Sequence, residues 1–324
     1  MRTAMGVSLP KDWQDWKVIG EPIGKGTFGI VYRAEKKIYG DIRCESAVKI
    51  VNIPKSPEEF DEAVKCIGRD AAVRGFRNVA DEYIEKLLFF LELSGHSTII
   101  SGEDAAVEEQ ADHRGWTVFI RMELAEALAS YLKKRGTTEK TVIQIGCDIC
   151  EALEVCEMNS LVHLDIKPDN LYFGKNGRFK LGDFGTVFTF DDGKFCAPRG
   201  TRGFMAPEVC RGKQPDQRAD IYSLGIVLYY LLNCYKLPFV HSAGDAAADG
   251  ERLRAEERRL SGEKLPRPEN GSEWLTGIVM KACSFRCEDR YRSAEEFHLA
   301  LTRAGKNREK FPHKKLWSEK FRLH

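Results

Sequence analysis

His163-Leu164-Asp165-Ile166-Lys167-Pro168-Asp169-Asn170 gathers a carboxylate, an ammonium and an amide within eight residues, and the reading of this stretch decides the fold. It directly follows Lys140–Met158, where Ile145, Ile149, Leu153 and Cys156 share one face of a helix, and proline stiffens it as a loop. A carboxylate at Asp165 can accept the proton of an attacking hydroxyl, Lys167 can neutralise charge on a moving phosphoryl group, and Asn170 can offer its carbonyl oxygen to a hard cation. After the strand-like Phe179-Lys180-Leu181 comes Asp183-Phe184-Gly185. A second carboxylate on a loop suits Mg²⁺, which takes oxygen ligands and fills much of its shell from phosphates and water.

Working back from this stretch, Gly24-Lys25-Gly26-Thr27-Phe28-Gly29-Ile30-Val31 is a GxGxxGxV pattern set where one predicted strand turns into the next. Glycines let a backbone approach a ligand closely and lay its N–H groups on phosphates, although an ordinary glycine hairpin and a dinucleotide turn share the same letters. The dinucleotide turn requires a helix to open at the third glycine, whereas Ile30-Val31-Tyr32-Arg33-Ala34 continues as strand. Ala47-Val48-Lys49-Ile50 sets one lysine in an otherwise apolar strand. Buried, that ammonium needs a partner; facing solvent, it does not.

Trp16 to Val51 therefore predicts an antiparallel hairpin meander. Phe60–Leu93, rich in Glu, Lys, Ala and Leu, predicts a long helix closed by Ser94-Gly95. Ile99-Ile100 opens a strand and Trp116–Met122 forms another, with the acidic Glu103–Asp112 read as a solvated connection. Beyond a boundary near Leu124 the pattern is helical: Leu128–Arg135, Lys140–Met158, and the nearly apolar Asp220–Asn233 as a buried central helix. Ala243–Gly262 reads as a loop leading into an exposed helix. From Arg303 onward eight Lys/Arg stand against two Glu, a pattern read as a solvated tail.

Composition removes several function classes. The 324 residues carry 50 basic and 49 acidic side chains for a net charge of +1, so nothing global favours nucleic acid or a membrane surface as partner. No apolar run approaches the roughly 18–20 residues that span a bilayer, and Met1–Trp16 lacks the apolar core of a secretory signal, so the expected location is cytoplasmic. Ten cysteines in such a chain read as reduced thiols. The Cys147-Asp148-Ile149-Cys150 pair lacks a second Cys/His pair at ligand spacing and is not read as a metal site.

In their order, these blocks make the chain resemble the eukaryotic-type (Hanks-type) serine/threonine protein kinase family. The likeness runs from about Trp16 to Leu301 and takes in Ala206-Pro207-Glu208, Asp220-Ile221-Tyr222-Ser223-Leu224-Gly225 and Arg290. Ser261-Gly262-Glu263-Lys264-Leu265-Pro266 and a compact second half are similar to the Gram-positive bacterial members.

The resemblance implies an α+β, two-lobed protein kinase-like fold, with a small β-rich N-lobe carrying one long helix (16–123) and a larger, mainly helical C-lobe (124–301). Residues 1–15 would be an extension and 302–324 a basic tail. It also implies ATP and Mg²⁺ as cofactors, with transfer of the γ-phosphoryl group to protein Ser or Thr hydroxyls and possible autophosphorylation. Carried over residue by residue, it makes Asp165 the catalytic base, Lys167 the lysine beside the γ-phosphate, Asn170 and Asp183 the Mg²⁺ ligands, and Thr201 a hydroxyl close to Asp165 and Lys167. Gly24, Lys25, Gly26, Thr27, Phe28 and Gly29 would cover the phosphates. Val31 and Ala47 would lie above adenine and Tyr172 below it, with Met122 as gatekeeper and Glu123 and Ala125 as hinge contacts. Lys49 would hold the α- and β-phosphates and pair with a helix glutamate. Glu85 is chosen, because Leu88 and Phe89 then fall at core-facing offsets, whereas Glu82 would put Glu85 and Lys86 there. His163, Asp220 and a Glu208–Arg290 ion pair are read as scaffold.

One position departs from the pattern. Leu164 stands where many members carry the arginine that answers a phosphorylated loop, which puts activation by loop phosphorylation in doubt. It also gives slight support to a rival reading, a pseudokinase scaffold that binds nucleotide and acts by docking. A small-molecule phosphotransferase shares the Asp…Asn logic but leaves Ala206-Pro207-Glu208, Thr201 and Asp220 unexplained.

Overall fold

Alternating β-branched and apolar residues set strands β1 (Trp16–Gly26), β2 (Gly29–Tyr39) and β3 (Ile42–Ile53) side by side as consecutive hairpins. The computed structural model describes residues 7–26, 29–110, 113–189, 200–242 and 249–307. It divides into two units, the first holding residues up to His96 together with Ile100–Ala125, the second holding Ser97–Ile99 and the chain from Glu126.

In the first unit, β3 is followed by α1 (Pro57–Ile67) and α2 (Arg69–Glu92), then β4 (Gly102–Glu109) and β5 (Trp116–Glu123). The sheet is antiparallel throughout, in the order β1-β2-β3-β5-β4. Two expectations change here. The single long helix is two, because the chain passes through φ 79° at Gly68 between α1 and α2. The Ser56 side chain and Pro57 then start α1 as N-cap and first-turn residues. Residues 111–112 of the acidic stretch lie outside the described residues, and its residues 103–109 are not a connection but most of strand β4. Its charges suit an edge strand, which must resist pairing with other chains.

Central β3 is buried on both faces, and the register separates them. Val31, Ala47, Lys49, Ile120 and Met122 share one face, since Val31 pairs with Lys49, Lys49 with Ile120 and Ala47 with Met122. Ala34, Val48 and Phe119 line the opposite face, where Trp13 completes the cluster. Trp13 is 3% exposed, donates its indole N–H to Asp104 at 2.8 Å, meets Phe119 edge-on and carries the Arg121 guanidinium over its ring. Trp13, with Leu9 packed against the cluster, thus brings part of the segment read as an extension into this core. Trp13→Phe will cost about 1–2 kcal/mol, from a lost hydrogen bond and a smaller buried ring, read as a lower urea midpoint with an unchanged slope.

The second unit opens with β6 (Glu126–Ala127), α3 (Leu128–Arg135) and α4 (Glu139–Met158), the last capped by the Thr138 hydroxyl on the Thr141 N–H. β7 (Leu161–Val162), β8 (Leu171–Phe173), β9 (Phe179–Leu181) and β10 (Phe188–Thr189) follow, with β6-β8-β9 forming one small sheet and β10-β7 another. The remaining helices are α5 (Pro207–Cys210), α6 (Arg218–Leu232), α7 (Asp249–Ser261), α8 (Glu273–Ala282) and α9 (Ala294–Asn307).

Helix α6 is buried along almost its whole length and forms the centre of this unit. Helix α4 packs against it with Ile145, Ile149, Leu153 and Cys156 fully or nearly buried. The α4 cysteines are packing residues: burial pushes Cys147 up to about 11 and Cys150 well above its ordinary value, so both stay thiols at neutral pH. Helix α9 extends to Asn307, so residues 302–307 continue the fold where the sequence suggested a tail; residues 308–324 lie outside the described residues. Among the described residues no helix is long and apolar enough to cross a membrane.

Candidate active site

Loop 163–170 is held in place by backbone bonds to buried side chains. Asp220, at the start of α6, accepts the N–H groups of His163 at 2.6 Å and Leu164 at 2.9 Å. Burial pushes its carboxyl up to about 7 against the pull of those two donors. His163 is fully buried, and burial pushes its ring down toward the neutral form. Its Nδ1 accepts from the Asp165 N–H at 3.3 Å, which leaves the Nε2 hydrogen for the Gly182 carbonyl at 3.2 Å. Leu164 takes φ 66° with its side chain 3% exposed. A leucine in the left-handed region is strained and is held only by its surroundings. The side chain that replaces the arginine is therefore a core residue.

Asp165 is 5% exposed, and donors surround its carboxylate. The Thr201 hydroxyl donates to Oδ1 at 2.6 Å, while Oδ2 receives Lys167 Nζ at 2.9 Å and Asn170 Nδ2 at 3.0 Å. Lys167 also donates to Thr201 Oγ1 at 2.7 Å, so the cation, the hydroxyl and the carboxylate close a triangle. Thr201 reaches this position because of its neighbour. Gly200 has φ 114°, and a Cβ there would lie 2.2 Å from the Leu164 carbonyl oxygen. Gly200 had no role in the sequence reading, since a close approach between two loops leaves no local periodic signal. Thr186 is buried and donates to the His163 carbonyl at 3.1 Å.

Asn170 and Asp183 fit a hard cation by their chemistry. Asn170 spends its amide hydrogens on the carbonyl and the Oδ2 of Asp165, an orientation that leaves the amide oxygen as its free acceptor. The Gly182 N–H bonds the Asn170 carbonyl at 2.9 Å and brings the two loops together. Asp183 adopts a left-handed backbone, φ 61° and ψ 71°, and accepts the Gly185 N–H at 3.4 Å. Two oxygen donors on adjacent loops are what Mg²⁺ takes from protein when phosphates and water supply the rest.

The remaining candidates lie as follows. Gly24, Lys25, Gly26 and Gly29 form the β1–β2 hairpin, with Gly26 paired to Gly29 and Gly24 to Val31; Thr27 and Phe28 lie outside the described residues. The absence of a side chain at Gly29 is required, because a Cβ would sit 2.3 Å from the Ile50 carbonyl oxygen. Lys49 is 8% exposed, on the sheet face shared with Val31, Ala47 and Met122. The Glu123 N–H bonds the Ser101 carbonyl, so any hinge contact from the Glu123 backbone would fall to its carbonyl. Ala125 closes the first unit. Tyr172 is in β8 of the second, paired with Lys180 and Ala127.

The reasoning that favoured Glu85 does not survive. Leu88 is 55% and Phe89 38% exposed, while the buried stripe of α2 runs through Ala80, Lys86, Leu87 and Phe90. Glu85 is exposed on the side of the helix opposite that stripe. The Glu82 alternative put Glu85 and Lys86 at core-facing offsets, and only Lys86 is buried there; Lys86 bonds Glu82, itself 49% exposed, at 2.7 Å. The sequence misled because a lysine buried its stem while two large apolar residues faced outward.

A family model described as protein kinase domain matches residues 18–299. Serine/threonine-protein kinase PknB of Mycobacterium tuberculosis is 32% identical over 171 residues, covering 51% of this chain and 26% of the relative. A probable serine/threonine-protein kinase of Clostridium perfringens is 25% identical over 280 residues, 85% of this chain and 36% of the relative. A probable protein kinase of Dictyostelium discoideum is 31% identical over 226 residues, 67% of this chain and 55% of the relative. The chain therefore spans about a quarter to a little over half of these relatives.

Proposed function

The chain belongs to the protein kinase family, and from that premise we propose that it transfers the γ-phosphoryl group of ATP to protein Ser or Thr hydroxyls in the cytoplasm, the compartment that supplies ATP. The observation that carries this reading is the closed triangle of Asp165, Lys167 and Thr201, with Asn170 bonded to the same carboxylate. Asp165 takes the acceptor's proton, and Lys167 balances charge on the transferred group. When bound, Mg²⁺ neutralises phosphate charge; Asn170 and Asp183 are the side chains that hold it. Lys49 holds the α- and β-phosphates, and the α2 glutamate paired with it is Glu82. Gly24 to Gly29 lay backbone over the phosphates, and Val31, Ala47, Met122, Glu123, Ala125 and Tyr172 receive adenine.

The test is transfer from MgATP to a generic basic protein and to the enzyme itself, with modified residues mapped by mass spectrometry. Phosphoserine or phosphothreonine that disappears in Lys49→Met supports the reading. Nucleotide binding without transfer to either acceptor supports a docking scaffold instead. The two glutamates separate cleanly: Glu82→Gln will lower kcat/KM by about tenfold to a hundredfold, while Glu85→Gln leaves it unchanged. The reverse order restores Glu85.

A further inference from the structure

Helix α7 carries a guanidinium that the catalytic scheme does not use. Arg259 is 3% exposed and makes no direct salt bridge among the described residues; the Glu256 carboxylate on the same helix acts on its charge from farther off, and its guanidinium lies 5.7 Å from the Tyr222 ring centroid. Its Nη1 donates to the Met205 carbonyl at 2.7 Å and to the Tyr222 hydroxyl at 3.0 Å; its Nη2 is buried with no hydrogen-bond partner among the described residues. Burying a cation without a direct carboxylate partner is costly, and an apolar side chain of similar length would fill the space without that cost. What Arg259 supplies is a hydrogen bond at one point of the loop that shapes the active site.

That point matters because of what else the loop does. The N–H groups of Phe204 and Met205 both bond the Thr201 carbonyl at 3.2 Å, so residues 201–205 form a single turn. One end of the turn is fixed to the catalytic loop by Gly200 against Leu164 and by the Thr201 hydroxyl on Asp165. Arg259 fixes the other end. Its second partner, Tyr222, is two residues from Asp220, which holds the His163 and Leu164 N–H groups. Arg259 also lines a cavity of about 570 Å³ within the second unit, together with Thr201, Arg202, Phe204 and Leu253.

We propose that Arg259 is a positioning residue: by clamping the Met205 carbonyl it holds the 201–205 turn, and through it the Thr201 hydroxyl, against Asp165 on the acceptor side of the site. The assignment rests on the kinase reading given above. It does not make Arg259 a catalytic residue, because the guanidinium reaches Asp165 only through the turn.

The test compares Arg259→Met, Arg259→Lys, Thr201→Val and the Arg259→Met/Thr201→Val double variant. Three readouts are needed: transfer kinetics with a basic protein, thermal midpoint, and hydrogen exchange of the 200–206 peptide. Arg259→Met is expected to lower kcat by about tenfold to a hundredfold, with KM for ATP and the thermal midpoint unchanged and with faster exchange at Phe204 and Met205. Arg259→Lys, which keeps one donor for Met205, recovers part of both losses. Because Arg259 acts through Thr201, Arg259→Met adds no further loss in the Thr201→Val background. Wild-type kcat in Arg259→Met, or losses that add in the double variant, overturn the proposal. If Arg259→Met does not fold, Arg259→Lys decides: faster exchange with lowered kcat supports the clamp, and wild-type exchange overturns it. A wild-type protein that transfers no phosphate counts against the kinase reading, while the exchange comparison still decides the clamp.

Discussion

Asp165→Asn is expected to leave a folded protein whose rate of phosphoryl transfer has fallen by about a thousandfold, within the range that a positioned general base supplies. The substitution keeps size and shape but replaces one acceptor oxygen with a donor. At Oδ2 the new NH₂ group would face the Lys167 ammonium and the Asn170 amide, both donors. It will therefore turn toward Thr201, whose hydroxyl already accepts from Lys167. The loop retains its shape because Asp220 and His163 fix its backbone independently of the Asp165 side chain. Lost are the negative charge and the proposed acceptor of the substrate's proton. The measurements are initial rates with saturating MgATP and the thermal midpoint of both proteins. A variant that keeps more than about a tenth of the wild-type rate removes Asp165 from the role of base, and one that no longer melts cooperatively shows that the loss came from the fold.

The same contacts explain why so much of this site can be read from sequence. His163, Asp165, Lys167 and Asn170 lie within one loop, so their spacing along the chain is nearly their arrangement in space. Asp183 joins them through one short connection, in which the Gly182 N–H bonds Asn170. The hairpins β1 to β3 are legible for the same reason: consecutive strands pair with each other, and alternation sets their faces.

Legibility fails where partners are distant or where a side chain has two characters. Trp13 contacts Asp104, 91 residues away, and Arg259 contacts Met205, 54 residues away. Neither end of such a bond carries a local pattern. Strand β4 is masked by its charges, which belong to its edge position and to Trp13, Ser46 and Arg121, the donors that Asp104 and Glu103 accept. In α2, the phase of the helix is hidden because Lys86 is buried while Leu88 and Phe89 are not. Chemistry at the centre of the site is thus a local property of the chain. The residues that hold it in place are not.

The second large effect concerns one such distant pair. Arg290 and Glu208 meet through two parallel bonds, Nη1 to Oε1 at 2.7 Å and Nη2 to Oε2 at 2.8 Å, with the side chains 0% and 12% exposed. Arg290 also donates to the carbonyls of Ser284, Phe285 and Arg218, and so ties α5 to the start of α6 and to the segment after α8. Breaking a buried pair on one side leaves the other charge uncompensated, so Glu208→Ala will cost about 3–5 kcal/mol. Arg290→Met, which strips those three carbonyls of a donor as well, will cost at least as much. The double variant Glu208→Ala/Arg290→Met is expected to lose less than the two single losses added together, since it buries no lone charge. Additive losses would mean that the two side chains stabilise the unit independently. The pH dependence has a fixed sign. Burial pushes the Glu208 carboxyl up, but the bonds and charge of Arg290 outweigh it and hold the carboxyl below its ordinary 4.5. A depressed folded pKa gives stability that is fully present above about pH 4.5 and is lost as pH falls through the folded value. The gap in unfolding free energy between wild type and Glu208→Ala, measured by urea titration, will therefore stay constant from neutral pH down to that point and narrow below it. A gap that widens with acid would show that the carboxylate is not what Arg290 stabilises.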